Sequence, residues 1–319
     1  MSKPVASNKE TPDSSAKRSK RGHRLVRFEQ DGELKIGLEL SDGGDVLDIR
    51  AIDPSIPQEM WLFMRQREYD NGKIDCLNED QRAVVKRSDI RLKAPLDHPE
   101  KIICIGMNYA DHCTEQNIPI PKEPVIFSKF ASALQDPDEP IYLENTEELD
   151  FEVELGVVIS KSCRKVEESE AMDYVMGYTV AHDVSARDWQ LKRNGGQWLL
   201  GKSFDTFCPL GPCIVTKESI SDPHNLGIRC RVNGVTVQES NTSQMVHKVP
   251  FLISYISKFL TLNSGDLILT GTPPGVGCFR KPPMWLKAGD VVECEIDQIG
   301  SIRNTVEIRP HLHAEKLDN

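Results

Sequence analysis

The sequence lacks any apolar run approaching the roughly 20 residues that cross a bilayer, and its N-terminus lacks the apolar centre of a secretory signal. A membrane span and secretion are therefore not expected. Its nine cysteines fall at irregular spacings with no CxxC pair, the two nearest being Cys208 and Cys213. That usage favours reduced thiols in a reducing compartment. Positive charge is scarce: 39 Lys and Arg against 49 Asp and Glu give a net charge of −10, which repels a nucleic-acid backbone or an anionic membrane. Aromatics make up only 6% of the chain and do not cluster with basic residues, so neither nucleic acid nor membrane is an expected partner. An anionic substrate would have to meet a local group of cations.

What remains is an ordinary globular balance of 39% hydrophobic and 28% charged residues over 319 positions, enough for one large domain with a smaller one attached. Residues 1–22 carry Lys3, Lys9, Lys17, Arg18, Lys20 and Arg21 against Glu10 and Asp13, and read as a solvated, disordered tail or as a weak mitochondrial presequence. A small β-rich N-terminal domain over 23–95 opens with two strand-like runs around Asp31-Gly32, a strong hairpin signal. An amphipathic helix over 56–71 closes it. Breakers at Pro95, Asp97 and Pro99 mark a boundary, and residues 96–308 form the larger domain before a C-terminal tail at 309–319. Strand-like runs at 102–106, 152–160, 177–184, 226–232, 266–272 and 290–296 dominate that domain. One helix begins at Pro250, presents Phe251, Leu252, Tyr255, Ile256, Phe259 and Leu260 on one face, and ends by Asn263-Ser264-Gly265. Without regular β-α alternation, the expected class is α+β and β-dominated, a mixed roll or barrel.

Chemistry concentrates in a few segments. In Asp150-Phe-Glu-Val-Glu-Leu155 a strand would turn Glu152 and Glu154 to one face while Phe151, Val153 and Leu155 pack behind. Two close carboxylates repel unless neutralised, and a hard divalent cation with Asp183 as a third oxygen ligand would do so. A bare Glu-x-Glu is equally what a half-buried strand with a solvated face looks like. In Gly106-Met-Asn-Tyr-Ala-Asp-His-Cys-Thr-Glu115 a helical turn would set His112 and Glu115 three apart on one face. A carboxylate that fixes the tautomer of an imidazole makes a proton-transferring dyad. Gly196 to Ser203 match the phosphate-loop formula letter for letter, yet the flanks lack the strand and helix that such a loop needs and its interior is bulky. Lys202 remains a candidate anion-facing cation. His182-Asp183 lacks the other histidines of a metal-binding pair, and Gly271-Thr-Pro-Pro-Gly-Val-Gly277 is a turn-rich loop that could bring Thr272 to a ligand.

In this order, GMNYADHCTE, DFEVELGVVISK, GYTVAHDVSARDWQ, GQWLLGKSFDTFCPLGP and LTGTPPGVG resemble the fumarylacetoacetate hydrolase family over roughly residues 95–308, and within it the metazoan type 2 group. The resemblance implies a mixed β-roll catalytic domain behind a small N-terminal domain, a homodimer, and one Mg²⁺ or Mn²⁺ per subunit. It also implies the mitochondrial matrix or, failing that, the cytoplasm. Position by position it makes Glu152, Glu154 and Asp183 the metal ligands and places His112 and Glu115 on a lid over the substrate. It turns Lys202, Gln190 and Thr272 to the substrate. Lys129 aligns with a substrate-facing lysine that proline usually follows; Phe130 follows here, which leaves the direction of its side chain open.

These residues suit a small enolisable 2-oxo acid, because enolate formation is shared by tautomerisation, decarboxylation and carbon–carbon hydrolysis. Lys202 would neutralise the developing charge while His112 and Glu115 move a proton or activate water. The type 2 resemblance favours keto-enol tautomerisation of oxaloacetate, with acylpyruvate-type hydrolysis as the alternative and a non-catalytic binding module behind both.

Overall fold

The computed structural model describes residues 22–66, 74, 77 and 83–310. The N-terminal tail to residue 21, the C-terminal residues from 311 and the last five residues, 67–71, of the expected 56–71 helix lie outside the described residues. The main strands in chain order are β1 (Arg24–Gln30), β2 (Glu33–Glu39), β3 (Val46–Asp48), β4 (Ile102–Gly106), β5 (Val125–Lys129), β6 (Val153–Ile159) and β7 (Val175–His182). They continue with β8 (Cys208–Thr216), β9 (Gly227–Val232), β10 (Val235–Asn241), β11 (Leu267–Leu269), β12 (Val291–Ile296) and β13 (Gly300–Ile308).

A twelve-stranded mixed sheet runs β3-β2-β1-β8-β7-β6-β11-β4-β5, with Val84–Val85 beyond β3 and two short strands pairing off β1 and β8. Most neighbours are antiparallel, while β11 and β4 are parallel. The first hairpin turns at Asp31 and Gly32, both at positive φ (52° and 81°), the backbone that a tight two-residue turn demands. Through β1 and β8 the strands of the N-terminal module share this sheet with the rest of the chain. A five-stranded sheet, β10-β9-β12-β13 with Ile141–Leu143, packs against it. Every residue of β6 is buried, as its run VELGVVI between two neighbours requires. By contrast β9 alternates half-buried and buried positions, with one face on the core. The β-dominated mixed fold expected from the sequence is the fold observed.

Helices are short and lie between the strands: α1 (Met60–Arg65), α2 (Ala110–Glu115), α3 (Trp198–Lys202) and α4 (Val249–Ser257). Pro250 lies in the first turn of α4, where its missing N–H costs nothing. The helix stops at Ser257, short of the expected end, because the Ser257 carbonyl accepts from the Lys165 N–H and the Arg164 guanidinium instead of a later turn. Phe259 and Leu260, expected on the buried face, are consequently 63% and 42% exposed.

Candidate active site

Glu152 immediately precedes β6, Glu154 lies within it, and Asp183 follows the end of the paired strand β7. One carboxylate oxygen from each lies within 4.8 Å of those of the other two, and all three residues are buried. The antiparallel register explains the convergence: Val153 faces His182, so the start of one strand meets the end of the other.

Three cations surround these acids. The Lys202 ammonium, at the end of α3, donates to Glu152 Oε2 and Asp183 Oδ2 at 2.8 Å each. Burial alone would lower its pKa, but Asp183 and Glu152 outweigh burial and carry it up to about 12. Arg187 donates to Asp150 Oδ2 and Gln190 Oε1, both at 2.8 Å, and to Glu152 Oε1. Burial opposes its charge, and Glu152 and Asp150 overcome it and raise its pKa. The same two cations, Arg187 and Lys202, overcome burial at Glu152 and hold that carboxyl below its usual range. Glu154 has no such partner: burial, then Asp183 and Glu152, push its pKa well upward.

Lys129 is turned away from the cavity. Its ammonium donates to the carbonyls of Val184 (3.0 Å), Phe207 (2.7 Å) and Lys202, which uses all three protons, and it also lies 2.6 Å from Asp183 Oδ1. Asp183 Oδ1 therefore sits against a positive charge yet receives no hydrogen bond. It keeps a lone pair to offer.

These observations fit a divalent cation. The donors are all carboxylate oxygens, one of them has no hydrogen bond, and Glu154 carries like-charge repulsion that a cation would relieve. With Asp150, Glu152, Glu154 and Asp183 ionised, Lys129, Arg187 and Lys202 leave one negative charge over, which a divalent ion would reverse to positive. His182 stays apart from this group: it is fully buried, its ring nitrogens make no hydrogen bond, and burial and Lys129 lower its pKa to about 3. The Lys202 segment is likewise no phosphate loop. The five-residue α3 ends at the lysine, and the lysine is spent on carboxylates.

A cavity of about 90 Å³ opens over Glu152, Glu154, Arg187 and Lys202, and His112, Gln190 and Thr272 also line it. The expected dyad is formed: on α2, His112 Nδ1 and Glu115 Oε2 lie 2.9 Å apart. Glu115 accepts through its other oxygen from the Gly275 N–H at 2.9 Å, and the ring of Phe279 stands edge-on to His112 at 5.8 Å. Gln190 sits in a π-helical turn, Asp188–Lys192. Thr272 reaches the cavity, but its hydroxyl donates to Val153 O and accepts from Gln238 Nε2.

The loop after β11 spends its amides on protein acids. Gly271 donates to Glu154 Oε2 at 2.7 Å, Gly275 to Glu115, and Gly277 and Cys278 to Asp150. Gly271 and Gly275 adopt φ of 100° and 102°, which turns these N–H groups inward and which a residue with a side chain would resist.

Sequence reasoning passed over Arg187, Asp150 and Gln116. Arg187 stands four residues after Asp183, just past the strand-like run 177–184, and a guanidinium placed so close to a buried run needs carboxylate partners nearby. That signal could have found it.

A family model described as fumarylacetoacetate hydrolase, C-terminal, matches residues 101–307. A curated relative named as a mitochondrial oxaloacetate tautomerase, from Xenopus laevis, is 59% identical over 286 residues, covering 89% of this chain and 90% of that protein. The solved structure of a fumarylacetoacetate hydrolase from Exiguobacterium antarcticum superposes with a TM-score of 0.79 at 35% identity, over 90% of this chain and all of that one. A maleylpyruvate hydrolase from Sphingobium, solved with manganese(II) and pyruvate, gives a TM-score of 0.74 at 31% identity, again over 90% of this chain and all of that one.

Proposed function

Because the chain belongs to the fumarylacetoacetate hydrolase family, we propose that it is an enzyme interconverting the keto and enol forms of oxaloacetate, with Mg²⁺ or Mn²⁺ held by Glu152, Glu154 and Asp183. The observation that carries this reading is one cavity lined both by the His112 that Glu115 orients and by the carboxylates with their cations. The name of the Xenopus relative favours tautomerisation over hydrolysis.

The bound ion would supply Lewis-acid polarisation of the 2-oxo group. Arg187, braced by Asp150 and Gln190, orients the substrate's first carboxylate. Glu115 accepts a hydrogen bond from His112 Nδ1–H, which keeps the proton there and leaves Nε2 as the base. The C3 proton passes to Nε2, and the C–H electron pair becomes the C2=C3 bond. The former carbonyl oxygen, its charge balanced by Lys202, takes a proton from solvent as the imidazolium returns one. The net change is one proton moved from carbon to oxygen.

We also place the protein in the mitochondrion, as the name of the Xenopus relative suggests, and assign it as a homodimer. Support for the dimer comes from β5, which ends the large sheet with one edge unpaired among the described residues and exposes Val125, Ile126 and the following Phe130 by 36%, 40% and 54%. Ultraviolet absorbance of fresh enol-oxaloacetate with Mg²⁺ and enzyme, with pyruvate quantified in parallel, tests the activity. Rapid loss of the enol signal without pyruvate is expected. No rate above the Mg²⁺ blank, with turnover of acetylpyruvate instead, would make the protein a carbon–carbon hydrolase.

A further inference from the structure

Gln116 caps α2 one turn beyond His112, and its side-chain amide nitrogen lies 2.8 Å from His112 Nε2. Glu115 on the other ring nitrogen can only accept, so the neutral imidazole carries its proton on Nδ1 and its lone pair on Nε2. The amide of Gln116 therefore donates to the very atom that serves as base in the proposed reaction. A substrate carbon that is to give up a proton must come within reach of Nε2 and displace that amide.

We infer that Gln116 is a specificity-determining residue whose amide, displaced from His112 Nε2, donates to the distal carboxylate of a four-carbon 2-oxo diacid. The inference rests on the reading of His112 as base over the carboxylate site. With the first carboxylate and the 2-oxo oxygen at the Glu152, Arg187 and Lys202 end of the cavity, C3 comes to Nε2. The fourth carbon is then one bond further on. Gln116 and His112 both line the cavity, so the freed N–H stands beside that carboxylate. The exchange favours a diacid: a neutral hydrogen bond to imidazole is lost and one to a charged oxygen, stronger by roughly a factor of two, is gained. A 2-oxo acid that stops at C3 displaces the amide and returns no acceptor, so the donor is left unpaired.

Equilibrium binding to the Mn²⁺-loaded full chain tests this, with oxaloacetate, pyruvate and oxalate as probes. Pyruvate shares the 2-oxo end and lacks the fourth carbon, while oxalate occupies only the chelating end. Gln116→Met keeps the length of the side chain beside Met107, 3.7 Å from the native amide nitrogen, and removes the donor. It should weaken oxaloacetate about tenfold, as loss of a hydrogen bond to a charged group predicts, leave oxalate within about twofold, and leave pyruvate unchanged or bound more tightly, since the donor that pyruvate strands is gone. Gln116→Glu, which sets a charge against the distal carboxylate, should weaken oxaloacetate further. An unchanged oxaloacetate affinity in Gln116→Met, or equal weakening of all three acids, overturns the assignment. The enol-decay assay on the unsubstituted protein separates the two claims. Selective weakening with no tautomerase activity would leave Gln116 as the distal-acid contact and remove the tautomerase reading. Tautomerase activity without selective weakening would do the reverse.

Discussion

Two regions of the molecule are built from ion pairs of similar length and opposite surroundings. On the outer face of the five-stranded sheet, Arg229 faces Glu295 and Arg231 faces Glu293 across β9 and β12, with contacts such as Arg229 to Asp297 at 2.8 Å and Arg231 to Glu295 at 2.6 Å. These arginine side chains are 26% exposed, and water competes for every bond they make. At the carboxylate centre Lys202, Lys129 and Arg187 make contacts of comparable length at almost no exposure. Distance does not rank the two regions, but solvent does: exposed pairs contribute about 0–1 kcal/mol, whereas removing one partner of a buried pair strands a charge and costs about 3–5 kcal/mol. The outer ladder decorates a sheet held by its other face. The inner network holds three acids together against their own repulsion.

The largest effect should come from Glu152→Ala, which leaves Arg187 and Lys202 without their shared acid and removes one proposed ligand. Bound Mn²⁺, counted by elemental analysis, and turnover should both vanish; full metal stoichiometry in this variant would sink the ligand assignment. His112→Ala should retain the metal while turnover falls about 10²–10⁴-fold, the usual worth of a positioned proton carrier.

Lys129→Met sharpens the contrast from the structural side, since it strips a cation from three carbonyls and Asp183. A loss of about 3–5 kcal/mol in urea unfolding is expected. Unchanged stability with a raised KM would instead make Lys129 a substrate contact.

Next in size is a pH effect. Glu154 has its pKa raised, so below that pKa it carries a proton which must leave before it can ligate. Affinity for Mn²⁺ should therefore rise with pH, by at most about tenfold per unit for one released proton, and calorimetry in two buffers should count that proton. The smallest change belongs to Arg231→Ala, expected below about 1 kcal/mol and shrinking as salt is added. A loss as large as that of Lys129→Met would erase the distinction between the two regions.

Much of the site was legible because it depends on local spacing. Glu152 and Glu154 two apart at the head of a strand, and His112 and Glu115 three apart on a helical turn, are expected to share a face before any fold is known, though only the family resemblance made ligands of the two carboxylates. The structure forms the His112–Glu115 contact as that spacing predicts. What stayed illegible depends on remote backbone. The direction of Lys129 is set by carbonyls 55, 73 and 78 residues away, which no local pattern encodes. The end of α4 was misplaced for the same reason, since Arg164 and Lys165 take the carbonyl that would have continued it. The β-dominated class was readable from alternating runs and turn residues, while the parallel join of β11 to β4 belongs to topology alone.

The loop after β11 also bears on how the enzyme comes into being. Its amides reach carboxylates 117, 127 and 160 residues earlier in the chain, at Glu154, Asp150 and Glu115. Contacts of such separation form late, after most chain entropy has been surrendered to nearer pairings. On a ribosome the emerging chain would carry all three acids for more than a hundred residues before their partners exist. A fragment ending before Gly271 would therefore hold the proposed ligands and dyad in sequence while lacking the amides that set them in place, and it should show no partial activity.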